Sequence, residues 1–311
     1  MFDLLFFAAP GTVLPAAVAG IFGLLIGSFL NVVIHRLPRI AEREYDDALA
    51  EYADSETRKE SLRLGSAVTS VTYESKVPLP HTEQYNLVLP NSTCPCCGHK
   101  ITALENIPVI SYLVLRGKCK SCKTPISMRY PMVETLTGLL SVFLIWHFGS
   151  GVAGLASLLF AYLLIAMTFI DADTTILPDQ LTFPLLWCGL LLNLQNTFAS
   201  LGDAVIGAVS GYLFFWLVSR LFKWIRGIPG MGDGDLKLLA GLGAWFGWKM
   251  LPLIVMVSSL FGAIVGLVLI WLARKGRDYQ IPFGPYLAFG GMIALVFGHT
   301  IVNAYLGSLG L

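Results

Sequence analysis

Charge is scarce in this 311-residue chain: Asp, Glu, Lys and Arg together make up 13%, about half of the roughly 25% usual in soluble domains. The net charge of +1 says nothing about a nucleic-acid partner, but no basic stretch interleaved with aromatics occurs, so none is expected. There is no long-period repeat and no low-complexity tract, which sets aside solenoids and biased linkers. Six cysteines in 311 residues are too few for a secreted disulfide scaffold. What abounds is apolar: 55% hydrophobic residues and 31 glycines, with a mean hydropathy of +0.70. A disordered chain, a coiled coil and an ordinary soluble enzyme are excluded. The composition is that of an integral membrane protein.

The few charges are unevenly spread. Residues 36–130 carry 24 of them, a quarter of that stretch, whereas the other 216 residues carry 17. The chain therefore divides into a first span (1–35), a soluble-type domain (36–130) and a membrane domain (131–311). A bilayer core of about 30 Å takes about 20 apolar residues per helix. On that basis eight spans are expected, near 13–34, 132–148, 152–170, 180–198, 203–222, 235–249, 251–272 and 284–306, giving an all-α membrane protein of about eight transmembrane helices with a small polar domain. The sixth span is short and interrupted by Gly241, Gly243 and Gly247. Arg220, Lys223 and Arg226, and again Arg274, Lys275 and Arg277, fall on the side of the polar domain, whereas among opposite connectors only Lys249 is basic. That bias puts the polar domain in the cytoplasm and both termini outside. The N-terminal apolar run has no basic residues ahead of it and carries Asp3, so it reads as an uncleaved anchor rather than a signal peptide.

Five cysteines lie in the polar domain. Cys94 and Cys97, and then Cys119 and Cys122, form two C-x-x-C pairs separated by 21 residues, a spacing that fits a closed tetrahedral zinc site. Gly98 and Gly117 sit where tight turns are needed. Two disulfides would suit the same residues only in an oxidising compartment, and a redox C-x-x-C would need no second pair. Cys96 and His99 leave the ligand set open. Cys188 reads as packing within a span. Over 41–63 the spacing allows an amphipathic helix, and 65–90 reads as loop with short strands.

Acidic groups inside or beside apolar spans are costly and mark function by default. Two clusters stand out: Asp171-Ala-Asp173 with Asp179 after the third span, and Gly230-Met-Gly232-Asp233-Gly234-Asp235-Leu-Lys237 before the sixth. Both fall on the cytoplasmic side, so two carboxylates can meet at one depth. Facing aspartates share one proton, because two like charges about 3 Å apart resist joint ionisation. One can then act as base on a water while the other supplies a proton, which hydrolyses a peptide without metal or covalent intermediate. Asp171 directly follows an apolar run, and Asp235 lies deeper than Asp233, the fallback; these two are the expected pair. Gly232 and Gly234 would open the helix start to an extended peptide. Asp173 suits a supporting loop acid, Asp179 a helix N-cap, and Lys237 either an interfacial snorkel or a group orienting the acid. The same acids could equally line an ion pathway in a transporter with a regulatory zinc domain.

The chain resembles the bacterial type IV prepilin peptidases. The resemblance rests on Gly27-Ser-Phe-Leu-Asn-Val-Val-Ile-His-Arg-Leu-Pro38, on the cysteine loop from Cys94 to Cys122 with Glu105-Asn-Ile-Pro-Val-Ile-Ser-Tyr112 and Arg116-Gly-Lys-Cys119, on Ser127-Met-Arg-Tyr-Pro-Met-Val-Glu134, and on Gly230 to Lys237. It covers nearly the whole chain. It implies a multi-pass aspartic protease of the bacterial inner membrane, of the Gly-x-Gly-Asp class, that removes the basic leader of type IV prepilins and pseudopilins on the cytoplasmic side. Carried over by position, the catalytic pair is Asp171 and Asp235. The resemblance further implies N-methylation of the new terminus from S-adenosylmethionine, with Glu105, Arg116 and Glu134 as candidates, although Glu134 would also suit a first-turn acid facing the helix dipole. Asp173 and Asp179 are expected to attract the basic leader.

Overall fold

The computed structural model describes residues 9–64, 85–227, 230–273 and 282–308. Long apolar runs without interior breakers can satisfy their backbone polar groups within a membrane only as helices, and the chain obeys. Eight principal helices follow in order: α1 (Val13–Leu64), α2 (Arg129–Phe148), α3 (Val152–Thr174), α4 (Asp179–Asn193), α5 (Leu201–Arg226), α6 (Asp233–Phe246), α7 (Leu251–Ala273) and α8 (Gly284–Ser308). Among the described residues there is no β-strand, only two isolated antiparallel bridges. Residues 65–84, where short strands were expected, lie outside the described residues; 85–90 is irregular chain.

The eight expected spans fall on these eight helices, but only six are long and apolar enough to cross a membrane. The exceptions are α4 and α6, with 15 and 14 residues, about 22 and 21 Å at 1.5 Å per residue. A buried asparagine is the physical reason. Asn193 donates from Nδ2 to the carbonyls of Ala244 and Trp245, each at 2.9 Å. Its Oδ1 accepts the N–H groups of Phe198 and Ala199, each at 3.0 Å. One side chain at the end of α4 thus satisfies carbonyls at the end of α6 and N–H groups of the turn that leads into α5, and buried backbone groups without such partners would be expensive.

Helix α1 runs through residues 35 and 36 without a break and continues past Pro38 for 52 residues in all, about 78 Å. The junction between first span and polar domain is a continuous rod. Its membrane half packs on α2 through Gly20, Gly23 and Gly27; a Cβ on Gly27 would lie 2.7 Å from Glu134 Cα. Small residues let backbones approach, which is what associates helices where no hydrophobic drive separates them from lipid. Of the six long spans, α3 has the largest buried share and α5 the smallest. The core around α3 gathers Phe160, Trp245 and Phe246, with Phe160 and Trp245 ring centres 4.7 Å apart. Trp245 Nε1 donates to the Leu185 carbonyl at 2.7 Å, so the indole is both packed and satisfied.

Candidate active site and metal centre

Asp171 sits one turn before the end of α3 and is 4% exposed. The helix stops at Thr175, whose left-handed conformation (φ 55°) lets its N–H return to the Asp171 carbonyl at 2.8 Å. The chain then turns through Leu177 and Pro178 into α4. Helix α6 begins against that turn: a Cβ on Gly234 would lie 2.6 Å from Leu177 Cβ, so glycine sets how closely the two acidic segments approach. Gly232 precedes the helix in an extended conformation with open space around it.

Asp171 and Asp235 are thereby brought to one place. Asp171 acts electrostatically on Asp235, whose Oδ1 is buried without a hydrogen-bond partner among the described residues. Asp171 Oδ2 accepts the backbone N–H of Gly284, the first residue of α8, at 2.8 Å. Asp233, by contrast, is exposed. Gly284 was not singled out from the sequence; its signal was a glycine between two prolines (Pro282-Phe-Gly284-Pro285) opening an apolar run.

The two flanking acids are already paired. Asp173 takes a salt bridge from Arg129 Nη1 at 2.6 Å, and Arg129 also donates to the Phe169 carbonyl at 3.2 Å and lies over the Phe169 ring. Asp179 receives Lys237 Nζ at 2.5 Å. The N-cap expected of Asp179 is corrected here: Pro178 occupies that position, no side chain caps the helix, and Asp179 is a first-turn residue. Lys237 is therefore held by Asp179 and by the face of Phe183, 5.4 Å from its ring centre.

The polar loop contains the second centre. Each C-x-x-C forms the same small hairpin. Cys94 N–H bonds to the His99 carbonyl at 2.9 Å and Gly98 N–H to the Cys94 carbonyl at 2.9 Å; in the second arm Cys119 N–H bonds to the Thr124 carbonyl at 2.8 Å and Lys123 N–H to the Cys119 carbonyl at 3.1 Å. Positive φ closes both turns, at Gly98 (70°) and Lys123 (59°). The four sulfurs of Cys94, Cys97, Cys119 and Cys122 lie within 4.8 Å of one another, an arrangement that can hold a metal ion. Cys96 is exposed and outside the group, and His99 Nε2 is engaged with Glu105 Oε2 at 3.0 Å.

Glu105 joins the two arms. Its Oε2 also accepts the Thr102 N–H at 3.1 Å, and its Oε1 lies 3.1 Å from Lys120 Nζ beside the second pair. The Thr102 N–H, then His99 and Lys120, hold the Glu105 carboxyl down at about 2. Glu134 lies six residues into α2, beyond its first turn, which corrects the helix-dipole explanation. Instead its Oε2 accepts the Val109 N–H at 2.8 Å from a tight turn in which Val109 has φ 61°, a costly conformation for a β-branched residue. Arg116 is exposed. Glu105 is thus engaged within the loop and Glu134 at its junction with α2. The loop is further anchored to α1 by Arg36, which donates to the carbonyls of Asn86 at 2.9 Å and Pro90 at 2.5 Å.

Residues 21–148 match the family described as Bacterial Peptidase A24 N-terminal domain, and residues 158–267 match the Type IV leader peptidase family. A prepilin leader peptidase/N-methyltransferase of Aeromonas salmonicida is 50% identical over 290 residues, 93% of each chain. Proteins with the same description from Pseudomonas aeruginosa (51% over 286 residues; 92% of this chain and 91% of that one) and Legionella pneumophila (44% over 290; 93% and 94%) are also similar. No solved structure matches.

Proposed function

From the premise that the chain belongs to the type IV leader peptidase family, we propose that it is an aspartic endopeptidase that cuts the basic leader from prepilins and pseudopilins and then N-methylates the exposed residue. What supports the reading is that Asp171, buried at the end of α3, lies near enough to act electrostatically on Asp235, whose Oδ1 is buried and unpartnered among the described residues. Two carboxylates so placed share a proton. One draws a proton from water as it attacks the scissile carbonyl, and the other supplies a proton, so the peptide bond breaks without a covalent intermediate.

The chain is a multi-pass membrane protein. Its site is the bacterial inner membrane, with the cysteine loop and the aspartates facing the cytoplasm. The Arg129–Asp173 ion pair supports one face for both, because it ties the end of the loop to the end of α3. The basic last turn of α5, with Lys223 and Arg226, and the basic residues Arg274, Lys275 and Arg277 that follow α7 in the sequence support that face being cytoplasmic. Asp173 and Asp179 support the active site by fixing the two turns around it through Arg129 and Lys237; with those cations in place, their pull on a basic leader is largely offset. Gly232 and Gly234 admit the substrate backbone and seat α6.

Cys94, Cys97, Cys119 and Cys122 would hold a structural Zn2+, which joins two hairpins that have little core of their own. Methylation would draw its methyl group from S-adenosylmethionine. Purified protein mixed with a prepilin leader peptide tests the reading. Mass analysis is expected to show a leaderless product, then the mass of one added methyl, with cleavage lost in both Asp171→Asn and Asp235→Asn. Cleavage that persists in either variant would sink the dyad.

A further inference from the structure

The two aspartates meet different surroundings. We propose that the backbone N–H of Gly284 holds Asp171 as the member that activates water, which leaves Asp235 as the member that carries the proton; this rests on the protease reading above. Asp171 Oδ2 accepts the Gly284 N–H at 2.8 Å, and that N–H belongs to the first residue of a 25-residue helix. A helix N-terminus carries partial positive charge and orphan donors, both of which favour an ionised carboxylate. The approach is specific to glycine, since a Cβ there would lie 2.6 Å from Asp171 Oδ2 and 3.1 Å from its Cγ. The N–H groups of Tyr286 and Leu287 both return to the Phe283 carbonyl, at 3.1 and 3.2 Å, and so fix the turn that aims Gly284.

Asp235 stands in the opposite situation. Its Oδ1 is buried with no donor among the described residues, and an ionised oxygen so placed would forfeit its hydration without compensation. A neutral acid suffers less. Among the described residues the charged groups near the pair do not reverse this: Asp171 acts on Asp235, Arg129 of α2 is bound to Asp173, Lys237 of α6 is bound to Asp179, His35 of α1 lies beside Arg129 and Asp173, and α8 brings the Gly284 N–H. In the cleavage step Asp171 takes a proton from water as the new C–O bond forms, and Asp235 gives its proton to the carbonyl oxygen. As the C–N bond breaks, Asp171 passes its proton to the departing nitrogen and Asp235 recovers one from the tetrahedral diol. Gly284 is a positioning residue throughout.

The test is the pH profile of leader-peptide cleavage by the full-length protein in detergent. Gly284→Ala removes the bond to the anion, so Asp171 binds its proton more tightly. The acidic limb of kcat is expected to move up by about one pH unit, the equivalent of one such hydrogen bond, with kcat about 100-fold lower and KM little changed. An acidic limb that stays in place overturns the assignment. A second measurement does not depend on that variant folding: the carboxylic-acid infrared band of the wild-type protein should vanish in Asp235→Asn and persist in Asp171→Asn. A band that survives in Asp235→Asn also overturns it. Failure of the wild-type protein to cleave would instead sink the protease reading itself.

Discussion

The four cysteines are assembled by backbone hydrogen bonds that reach at most nine residues along the chain within each arm, whereas Asp171 takes a donor 113 positions away and acts on an aspartate of a third helix. The four-cysteine cluster is thus two local hairpins laid side by side. The acid pair is a product of helix packing, and it exists only where α3, α6 and α8 converge. A locally built centre tolerates change elsewhere in the fold; a centre built by packing fails when the helices shift.

The sharpest way to break this comparison is to neutralise one acid. Asp171→Asn or Asp235→Asn should lower leader cleavage by about 10³-fold or more, the scale of a lost general acid or base, while metal content measured on the same sample stays at the wild-type level. Cys119→Ser/Cys122→Ser should do the converse, abolishing bound metal by elemental analysis and exposing the loop to protease while the membrane helices keep their circular dichroism. Undiminished metal in that variant would refute the four-thiolate site. Next comes Asn193→Ala, which unpairs backbone groups at the end of α6 and in the turn before α5 in one stroke. It should cost about 2–4 kcal/mol, read as a lower thermal midpoint in detergent, and cleavage should fall with it because α6 carries Asp235. Glu105→Ala should weaken metal retention against a chelator about tenfold, as supporting partners of metal sites do, and leave the membrane core untouched. The smallest effect is expected for Lys237→Met, which removes a partly exposed ion pair with Asp179 and should cost about 0.5–1 kcal/mol.

Much of this architecture was legible in the residues. Spans show because every lipid-facing turn must be apolar, and the knuckles show because their ligands are close in sequence with turn residues beside them. Asp235 could be preferred over Asp233 by its depth along the run, and the structure places Asp233 in solvent. Other features were not legible. The shortness of α4 and α6 depends on Asn193, a single polar residue in an apolar run whose partners come from another helix. Asp179 looks like an N-cap by position, yet Lys237 from α6 is its partner. Gly284 has no chemistry of its own and is visible only once the atom it faces is known.

Periodicity, composition and cysteine spacing by themselves determined that this chain is helical, membrane-bound and equipped with a four-cysteine loop, since each of these follows from contacts within a few residues or from the solvent a segment must face. Tertiary structure alone decided which acids meet, which are neutralised by Arg129 and Lys237, and which carboxylate a helix N-terminus addresses. Those outcomes turn on close approaches between distant glycines and side chains, and a linear pattern carries no record of such distances.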